Sequence, residues 1–454
     1  MSTALNQLVF VSISKYLLFI LLFFRGLLIA KVFSIEEYSE WGIVMFVSAY
    51  YSIFGLGIPN LVLLAVDKYS YAKGEMNLVV SSAVIFIFLF AVVSTLVVVS
   101  FPQVFENVSR SISVLGLVVM SFGLVLVETY RNVARLAQNF KKIILADFMS
   151  VLPLLIILVI IPDILSPNIA LLTLIIGIAF SLFTLRNLYT FKLEARELIS
   201  FGRNIVIRGL PVLFYNFSSY SLFIVFRYDI LRSGMDVRIS NFNFAWLMTN
   251  SIVLFLGILN WYYYPLMLKK LAVKPNEKSY GELIYVQLVI SLLILFGAPV
   301  LFDLFVSSYM PVYSDSTFHF RCLLNSQIGL YLTFYSSTFL VANKKNYVFY
   351  VAGIVSTGLL YFYLFRMTLD PSLVEKYRAL HLATIIFVCL LHFHTELKRD
   401  KVYISVFLLL VLLFNYLPFA LQLSVLILAL IVIYVRRKYI IDLLKIINEK
   451  NSNI

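Results

Sequence analysis

The stretch Leu78–Phe101, LVVSSAVIFIFLFAVVSTLVVVSF, is 24 residues long and contains no charged side chain. A helix needs about 20 apolar residues to cross the hydrocarbon core of a bilayer, so this stretch is long enough. Its apolar residues are continuous and do not alternate with polar ones, which excludes a strand of a membrane barrel. The stretch therefore predicts a transmembrane α-helix.

Runs of this kind recur along the whole chain of 454 residues, of which 62% are hydrophobic and only 13% charged. Soluble domains have about a quarter charged residues, so the composition excludes a water-soluble enzyme. A turn at Asn415–Pro418 divides the last run, which is too long for one ordinary span. The fourteen candidate spans are 8–33, 41–66, 78–101, 112–134, 144–161, 169–190, 204–226, 243–267, 282–306, 317–342, 347–365, 380–397, 402–417 and 419–435.

Lysine and arginine are unevenly divided between the two sets of connections. If the N-terminus is cytoplasmic, the inner connections hold 24 of the 36 cationic residues and the outer connections hold 7. Cytoplasmic loops carry such an excess, so the net charge of +13 indicates topology and not nucleic-acid binding. The chain is therefore predicted to be a multi-pass membrane protein with both termini in the cytoplasm.

The chain also repeats itself at an offset of about 204 residues. Tyr38–Trp41 opens the second span as Asn243–Trp246 opens the eighth, and Leu136–Lys142 follows the fourth span as Leu340–Lys345 follows the tenth. Six spans separate each pair, so the two copies have the same orientation in the membrane. Parallel repeats of this kind predict two similar bundles with the substrate path between them.

These observations predict an all-α integral membrane fold of about fourteen transmembrane helices. Two pseudo-symmetric six-helix lobes would surround a central cavity, and two extra helices would follow at the C-terminus. The predicted boundaries are 1–200 for the first lobe, 201–400 for the second, 401–435 for the two additional helices and 436–454 for a cytoplasmic amphipathic tail.

Cationic side chains inside the spans are the strongest functional signal, because each costs about 2.5–3.5 kcal/mol at a helix centre. Arg25 lies deep in the first span, which also contains Lys15 and Lys31 and has no acidic residue. Arg208 and Arg321 lie near the ends of later spans, where contact with lipid head groups is an alternative. A cavity lined by Arg25, Lys15, Arg208 and Arg321 suits an anionic substrate such as a diphosphate.

Acidic and aromatic residues supply the remaining candidates. Glu128 and Asp303 lie within spans and are candidates for ion coupling or ion pairing; Glu128 is one helical turn before Arg131, a natural partner. The aromatic run of Trp261, Tyr262 and Tyr263 fits either an interfacial belt or stacking on sugar rings. The sequence has no Walker loop and no set of metal ligands, so we expect no cofactor, no metal and no catalytic residue.

Several stretches resemble the polysaccharide-transporter branch of the multidrug/oligosaccharidyl-lipid/polysaccharide exporter superfamily, which contains the O-antigen and lipid-linked-oligosaccharide flippases. The resemblance covers roughly residues 1–400. Members often show Asp-Arg where this chain has Tyr228-Asp229, which makes Asp229 a further candidate for coupling or ion pairing. The stretches that carry the resemblance are Phe24–Gly42, Gly55–Pro59, Arg208–Pro211 and Ala342–Lys345.

The resemblance implies a V-shaped cavity between two lobes that opens alternately to each side of the bacterial cytoplasmic membrane. It implies an undecaprenyl-diphosphate-linked oligosaccharide as substrate, with Arg25 matching a first-helix arginine that meets the diphosphate. Membrane lipids, a polysaccharide polymerase and chain-length proteins are the other expected partners.

Two alternatives remain open at the level of sequence. A multidrug or cation antiporter of the same superfamily would need a carboxylate in its cavity, which the first span does not supply. A membrane-embedded polysaccharide polymerase would need a large outer loop, and no outer connection exceeds about 17 residues.

Overall fold

The structure is a computed structural model that describes residues 2–51, 55–65, 73–100, 112–137, 139–186, 190–232, 235–273, 278–342, 347–367 and 372–393, together with residues 422 and 427. Apart from those two single residues, the predicted spans 402–417 and 419–435 lie outside the described residues. The predicted tail, 436–454, lies outside them as well.

Regular structure in the described residues is helical throughout. Two π-helical segments, Ile205–Gly209 and Tyr363–Met367, interrupt the α-helical pattern. The α-helices are α1 (Ser2–Val32), α2 (Ile35–Ala49), α3 (Ile58–Ala65), α4 (Lys73–Ser100), α5 (Val114–Leu136), α6 (Phe140–Ile160), α7 (Pro167–Leu185), α8 (Ala195–Asn204), α9 (Leu210–Arg232), α10 (Asp236–Val273), α11 (Lys278–Tyr309), α12 (Ser316–Ala342), α13 (Tyr347–Phe362) and α14 (Leu373–Phe393).

Seven of the described helices are long and apolar enough to cross a membrane. One face of α4 packs against no other part of the described chain, and its side chains Phe88, Leu96 and Val99 are exposed by 60% or more. Exposed apolar surface of this extent is typical of contact with lipid. The predicted all-helical membrane class is confirmed, while the number of fourteen transmembrane helices stays a prediction.

Contacts divide the described chain into two compact units. The N-terminal unit contains Gln7–Phe217 and Leu231–Asn243, and the C-terminal unit contains Ser218–Ile230 and the described residues from Phe244 onward, with those before Gln7. The lobe boundaries predicted from the sequence repeat, at residues 200 and 400, stay predictions.

In the N-terminal unit, α7 packs along both α5 and α6. The closest approach is at Gly177, where an added Cβ would overlap the backbone carbonyl of Ser150 on α6. Small residues at such crossings allow membrane helices to approach closely. A separate apolar core joins α3, α4 and α5 to the short helix α8, whose Phe201 packs on Phe86 with ring centroids 6.0 Å apart.

The second predicted span, 41–66, is not one helix. It begins earlier than predicted, at Ile35, because Ser34 and Glu37 form a capping box. It ends at Ala49, and Leu56 and Gly57, which directly precede α3, have φ angles of 45° and 74° in the left-handed region. L-residues do not continue a right-handed helix through that region, so α2 and α3 are separate segments.

The C-terminal unit is built around stacked aromatic side chains. Phe302 of α11 stacks on Phe320 of α12 at 4.0 Å between centroids, and Phe244 of α10 stacks on Tyr313 at 4.5 Å. Helix α14 packs against both α12 and α13.

Candidate functional site

A buried carboxylate organises the charges of the N-terminal unit. Asp147 of α6 has only 3% of its side chain exposed, and its Oδ2 lies 2.5 Å from the Lys15 ammonium of α1. Its Oδ1 forms an ion pair with Arg131 of α5. One acid therefore joins three helices, and the predicted cavity cation Lys15 already has an anionic partner within its own unit.

A second carboxylate extends this network along α5. Glu128 lies 3.3 Å from Arg131, as predicted from their spacing, and 3.4 Å from Arg135. Arg135 also donates a hydrogen bond to Asn132. We call the group formed by Lys15, Glu128, Arg131, Arg135 and Asp147 the Asp147 cluster.

The Asp147 cluster is linked to the break between α2 and α3. The Asn132 side chain, which accepts the hydrogen bond from Arg135, donates one of 2.7 Å to the backbone carbonyl of Pro59. This bond connects α5 to the first turn of α3, immediately after the left-handed residues.

Arg25 has a different environment from the other cations of the unit. It is half-buried on α1, and its Nε is buried without a hydrogen-bond partner among the described residues. No described carboxylate lies within ion-pair distance of its guanidinium group. Arg25 is thus a buried donor group whose hydrogen-bonding capacity is incompletely used, a costly state that an anionic ligand would relieve.

The C-terminal unit buries an ion pair of its own. Lys376 of α14 and Asp229 of α9 are 2.8 Å apart, and each side chain is only 9% exposed. The predicted spans place Lys376 in an outer connection, but a capping box starts α14 three residues earlier, at Leu373. Ser372 donates hydrogen bonds to Glu375, which hold the pKa of that exposed carboxyl below its usual range.

Arg227 is also buried, although its position in the sequence suggested an outer connection. Its side chain is fully inaccessible, and its guanidinium carbon lies 5.1 Å from the ring centroid of Trp246. Such a cation–π contact stabilises a cation that has been removed from water. The Asp-Arg order of the resembled family is reversed here, and Asp229 takes its partner from α14.

The remaining predicted charges form a more exposed pair. Arg321 of α12 forms an ion pair with Asp303 of α11, and the Arg321 side chain is 54% exposed. Nearby, His319 and the Tyr377 hydroxyl are hydrogen-bonded at 2.6 Å, so this histidine is a satisfied core residue. The geometry thus brings together two predicted site residues, Arg321 and Asp303.

Four predicted residues cannot be placed at the level of side chains. Arg208 lies in the π-helical segment Ile205–Gly209, and Trp261, Tyr262 and Tyr263 lie on α10. The side chains of all four are outside the described ones. Their proposed roles in phosphate binding and sugar stacking stay predictions.

Asp147 and Lys376 are not among the site residues predicted from the sequence. Asp147 carried a usable signal, since an acid inside an apolar run needs a partner. Lys376 carried a weaker one, because it lies before the apolar run and looks like part of a loop. Only the start of α14 at Leu373 brings it into the helix.

Comparison with known proteins establishes the fold. No protein-family model matches the chain, and no curated protein matches it in sequence. The solved structure of the lipid II flippase MurJ in an inward closed conformation matches with a TM-score of 0.69 at 15% identity, covering 95% of this chain and 100% of that chain.

Two transporters of another kind match less closely. A eukaryotic MATE transporter has a TM-score of 0.56 at 12% identity, over 89% of this chain and 97% of its own. An outward-facing multidrug resistance MATE family transporter of the MOP superfamily has a TM-score of 0.53 at 14% identity, over 87% and 93%. Identities this low show the fold alone: the chain has the fold of these flippases and transporters, and these structural neighbours are not enzymes.

Proposed function

We propose that the chain is a flippase. It moves an undecaprenyl-diphosphate-linked oligosaccharide, such as an O-antigen unit, from the inner to the outer leaflet of the bacterial cytoplasmic membrane by alternating access. The observation that carries the proposal is the contrast between the buried acids and Arg25. The acids have cationic partners within their own units, whereas Arg25 has no anionic partner among the described residues.

This contrast favours an anionic substrate. Asp147 and Glu128 are neutralised in the N-terminal unit, and Asp229 and Asp303 in the C-terminal unit. The charge left over on the membrane-embedded part of the N-terminal unit is therefore positive. Arginine presents planar donors that match phosphate oxygens, so Arg25 is suited to the diphosphate of a lipid carrier.

The likeness to MurJ supports the same proposal, because that structure is of a lipid II flippase and covers nearly the whole chain. Lys15, Arg208 and Arg321 are proposed as further cations along the path. The aromatic run of Trp261, Tyr262 and Tyr263 is proposed to stack on sugar rings. Membrane lipids, a polymerase and chain-length proteins are the proposed partners.

A multidrug or cation antiporter is the second candidate, since MATE transporters share the fold. Transport of a cationic drug, or coupling to a cation, would be served by a carboxylate free to exchange partners. The four carboxylates at Glu128, Asp147, Asp229 and Asp303 instead lie within 3.4 Å of lysine or arginine nitrogens. The observed pairing therefore favours the flippase.

The direct test is the Arg25→Ala variant, which we expect to abolish export of surface polysaccharide while the protein still inserts in the membrane. The physical reason is the loss of the unpaired guanidinium that would meet the diphosphate. The measurement is complementation of a deletion strain, with the amount of inserted protein determined in parallel.

Lys31→Ala is the matched control, because Lys31 lies on the same helix and is exposed. It should complement the deletion normally, and Arg25→Lys should complement it in part. Normal polysaccharide in the Arg25→Ala strain would reject the role of Arg25.

A further inference from the structure

The Asp147 cluster lies toward one end of the spans that carry it. Lys15 is seven residues inside the predicted span 8–33, from which its long side chain can extend toward lipid head groups, and the span Val114–Arg135 ends at Arg135. Asp147 falls in the second turn of the span Phe140–Ile160. The head groups of a bilayer lie just outside a hydrocarbon core of about 30 Å, so the ends of spans meet them. By the distribution of lysine and arginine, this is the cytoplasmic end.

The cluster has more positive charge and more donors than it uses internally. Three cations face two carboxylates, which leaves a net charge of +1. Lys15, Arg131 and Arg135 are 28%, 21% and 32% exposed, whereas Asp147 is 3% exposed. The Arg131 Nε is buried and has no hydrogen-bond partner among the described residues.

We propose that Lys15, Arg131 and Arg135 form a binding site for the phosphate of a membrane lipid. The ligand is either the diphosphate of a polyprenyl lipid or the head-group phosphate of an anionic phospholipid. The three cations come from α1 and α5 and bind the phosphate oxygens with charge-assisted hydrogen bonds. Asp147 is a positioning residue that holds Lys15 and Arg131 close together against their mutual repulsion, whereas Glu128 is an anion that competes with the phosphate for Arg131 and Arg135.

Where the ligand is the polyprenyl diphosphate, the inference rests on the proposed function and adds an earlier step to it. Arg25 is ten residues beyond Lys15 on α1, about 15 Å further along the helix axis. The Asp147 cluster would then receive the diphosphate at the cytoplasmic end, before the diphosphate reaches Arg25. The Asp147 cluster and Arg25 would then be two successive cationic binding sites for the diphosphate along α1.

A purely structural ion network makes the opposite prediction for Glu128. If the cluster only stabilises the fold, Glu128→Gln removes two ion pairs and leaves phosphate binding unchanged. If the cluster binds phosphate, the same substitution raises its charge from +1 to +2 and tightens binding. Glu128 therefore separates the two roles better than any of the cations.

The experiment uses the full chain, purified in a neutral detergent, and measures binding of two soluble probes. One is a short-chain isoprenyl diphosphate, and the other is a short-chain phosphatidylglycerol. We expect Arg135→Gln to weaken binding about tenfold, the loss of one charge-assisted hydrogen bond, and Glu128→Gln to strengthen it severalfold. Lys141→Gln, which removes an exposed cation at the same end of the unit, should leave binding unchanged.

If the substitutions change the affinity for the isoprenyl diphosphate, the site binds a polyprenyl lipid. If they change the affinity for phosphatidylglycerol, the site binds a phospholipid. The proposal is overturned if Arg135→Gln, Glu128→Gln and the parent protein bind both probes with the same affinity. A melting temperature measured for each variant shows whether that variant is folded. If Arg135→Gln does not fold, Glu128→Gln alone decides the question. The experiment measures binding and not export. The phosphate site and the flippase proposal can therefore fail independently of each other.

Discussion

At the scale of single residues, the buried ion pair of the C-terminal unit joins two helices that are far apart in the sequence. Asp229 and Lys376 are brought together from α9 and α14, and each is almost wholly inaccessible. Removing one member of a buried pair is far more damaging than removing both, because it leaves a charge without a counterion. The loss of either partner alone is therefore expected to be costly, whatever the net contribution of the intact pair.

This difference predicts the behaviour of substitutions at Lys376. Lys376→Met should lower the stability of the purified protein by about 3–5 kcal/mol, because it leaves Asp229 charged and buried. The double variant Asp229→Leu with Lys376→Met should recover most of that loss. Thermal unfolding in detergent measures both effects.

Arg378→Met is the control, since Arg378 has the same charge and is exposed two residues further along α14. It should unfold at the same temperature as the parent protein. A Lys376→Met variant as stable as this control would show that the ion pair contributes nothing to the fold.

At the scale of helices, close packing depends on the absence of side chains at particular positions. Gly177 allows α7 to approach the backbone of α6 at Ser150, whereas Gly297 on α11 has open space where a Cβ would lie. The two glycines are both inside apolar helices, but only one of them is needed for packing. Apolar membrane helices associate through such contacts because lipid provides little hydrophobic driving force between them.

Alanine substitution should distinguish the two glycines. Gly177→Ala should destabilise the protein by about 1–3 kcal/mol, because the new methyl group meets backbone that cannot move aside without shifting a helix. Gly297→Ala should be neutral or stabilise by up to about 1 kcal/mol, since alanine has the higher helix propensity. The measurement is the unfolding temperature of each variant, and equal temperatures would contradict the assigned packing.

The same scale shows what could be predicted from the sequence. The run Leu78–Phe101 gave the helix α4, because twenty or more apolar residues have few other stable states in a membrane. The ion pair of Glu128 with Arg131 was predictable because the spacing places both on one helical face. The ion pair of Lys15 with Asp147 was not predictable, since helical periodicity says nothing about partners 132 residues apart. Nor did apolarity reveal the left-handed residues between α2 and α3.

At the scale of the whole molecule, one fold serves different substrates. A lipid II flippase and multidrug transporters match this chain over most of their length, at identities of 12–15%. The difference between such proteins must therefore lie in the side chains along the path and not in the arrangement of helices. The paired acids and the unpaired Arg25 are the side chains that favour a lipid-linked anion here.

Deletion of the whole chain should distinguish the candidate functions. We expect the deletion strain to lose its surface polysaccharide and to keep its susceptibility to cationic drugs. The measurements are extraction of surface glycans and growth in the presence of drugs. Single oligosaccharide units on the surface would instead indicate a polymerase, and a change confined to drug susceptibility would indicate an antiporter.

The pairing of Lys15 with Asp147 also has a consequence for synthesis of the protein. Lys15 leaves the ribosome 132 residues before its partner, which at about 5–20 residues per second is an interval on the order of ten seconds. During this interval, α1 enters the bilayer while its ammonium group lacks the carboxylate that becomes its partner. The first helix thus acquires its final electrostatic environment only when the fifth predicted span has been inserted.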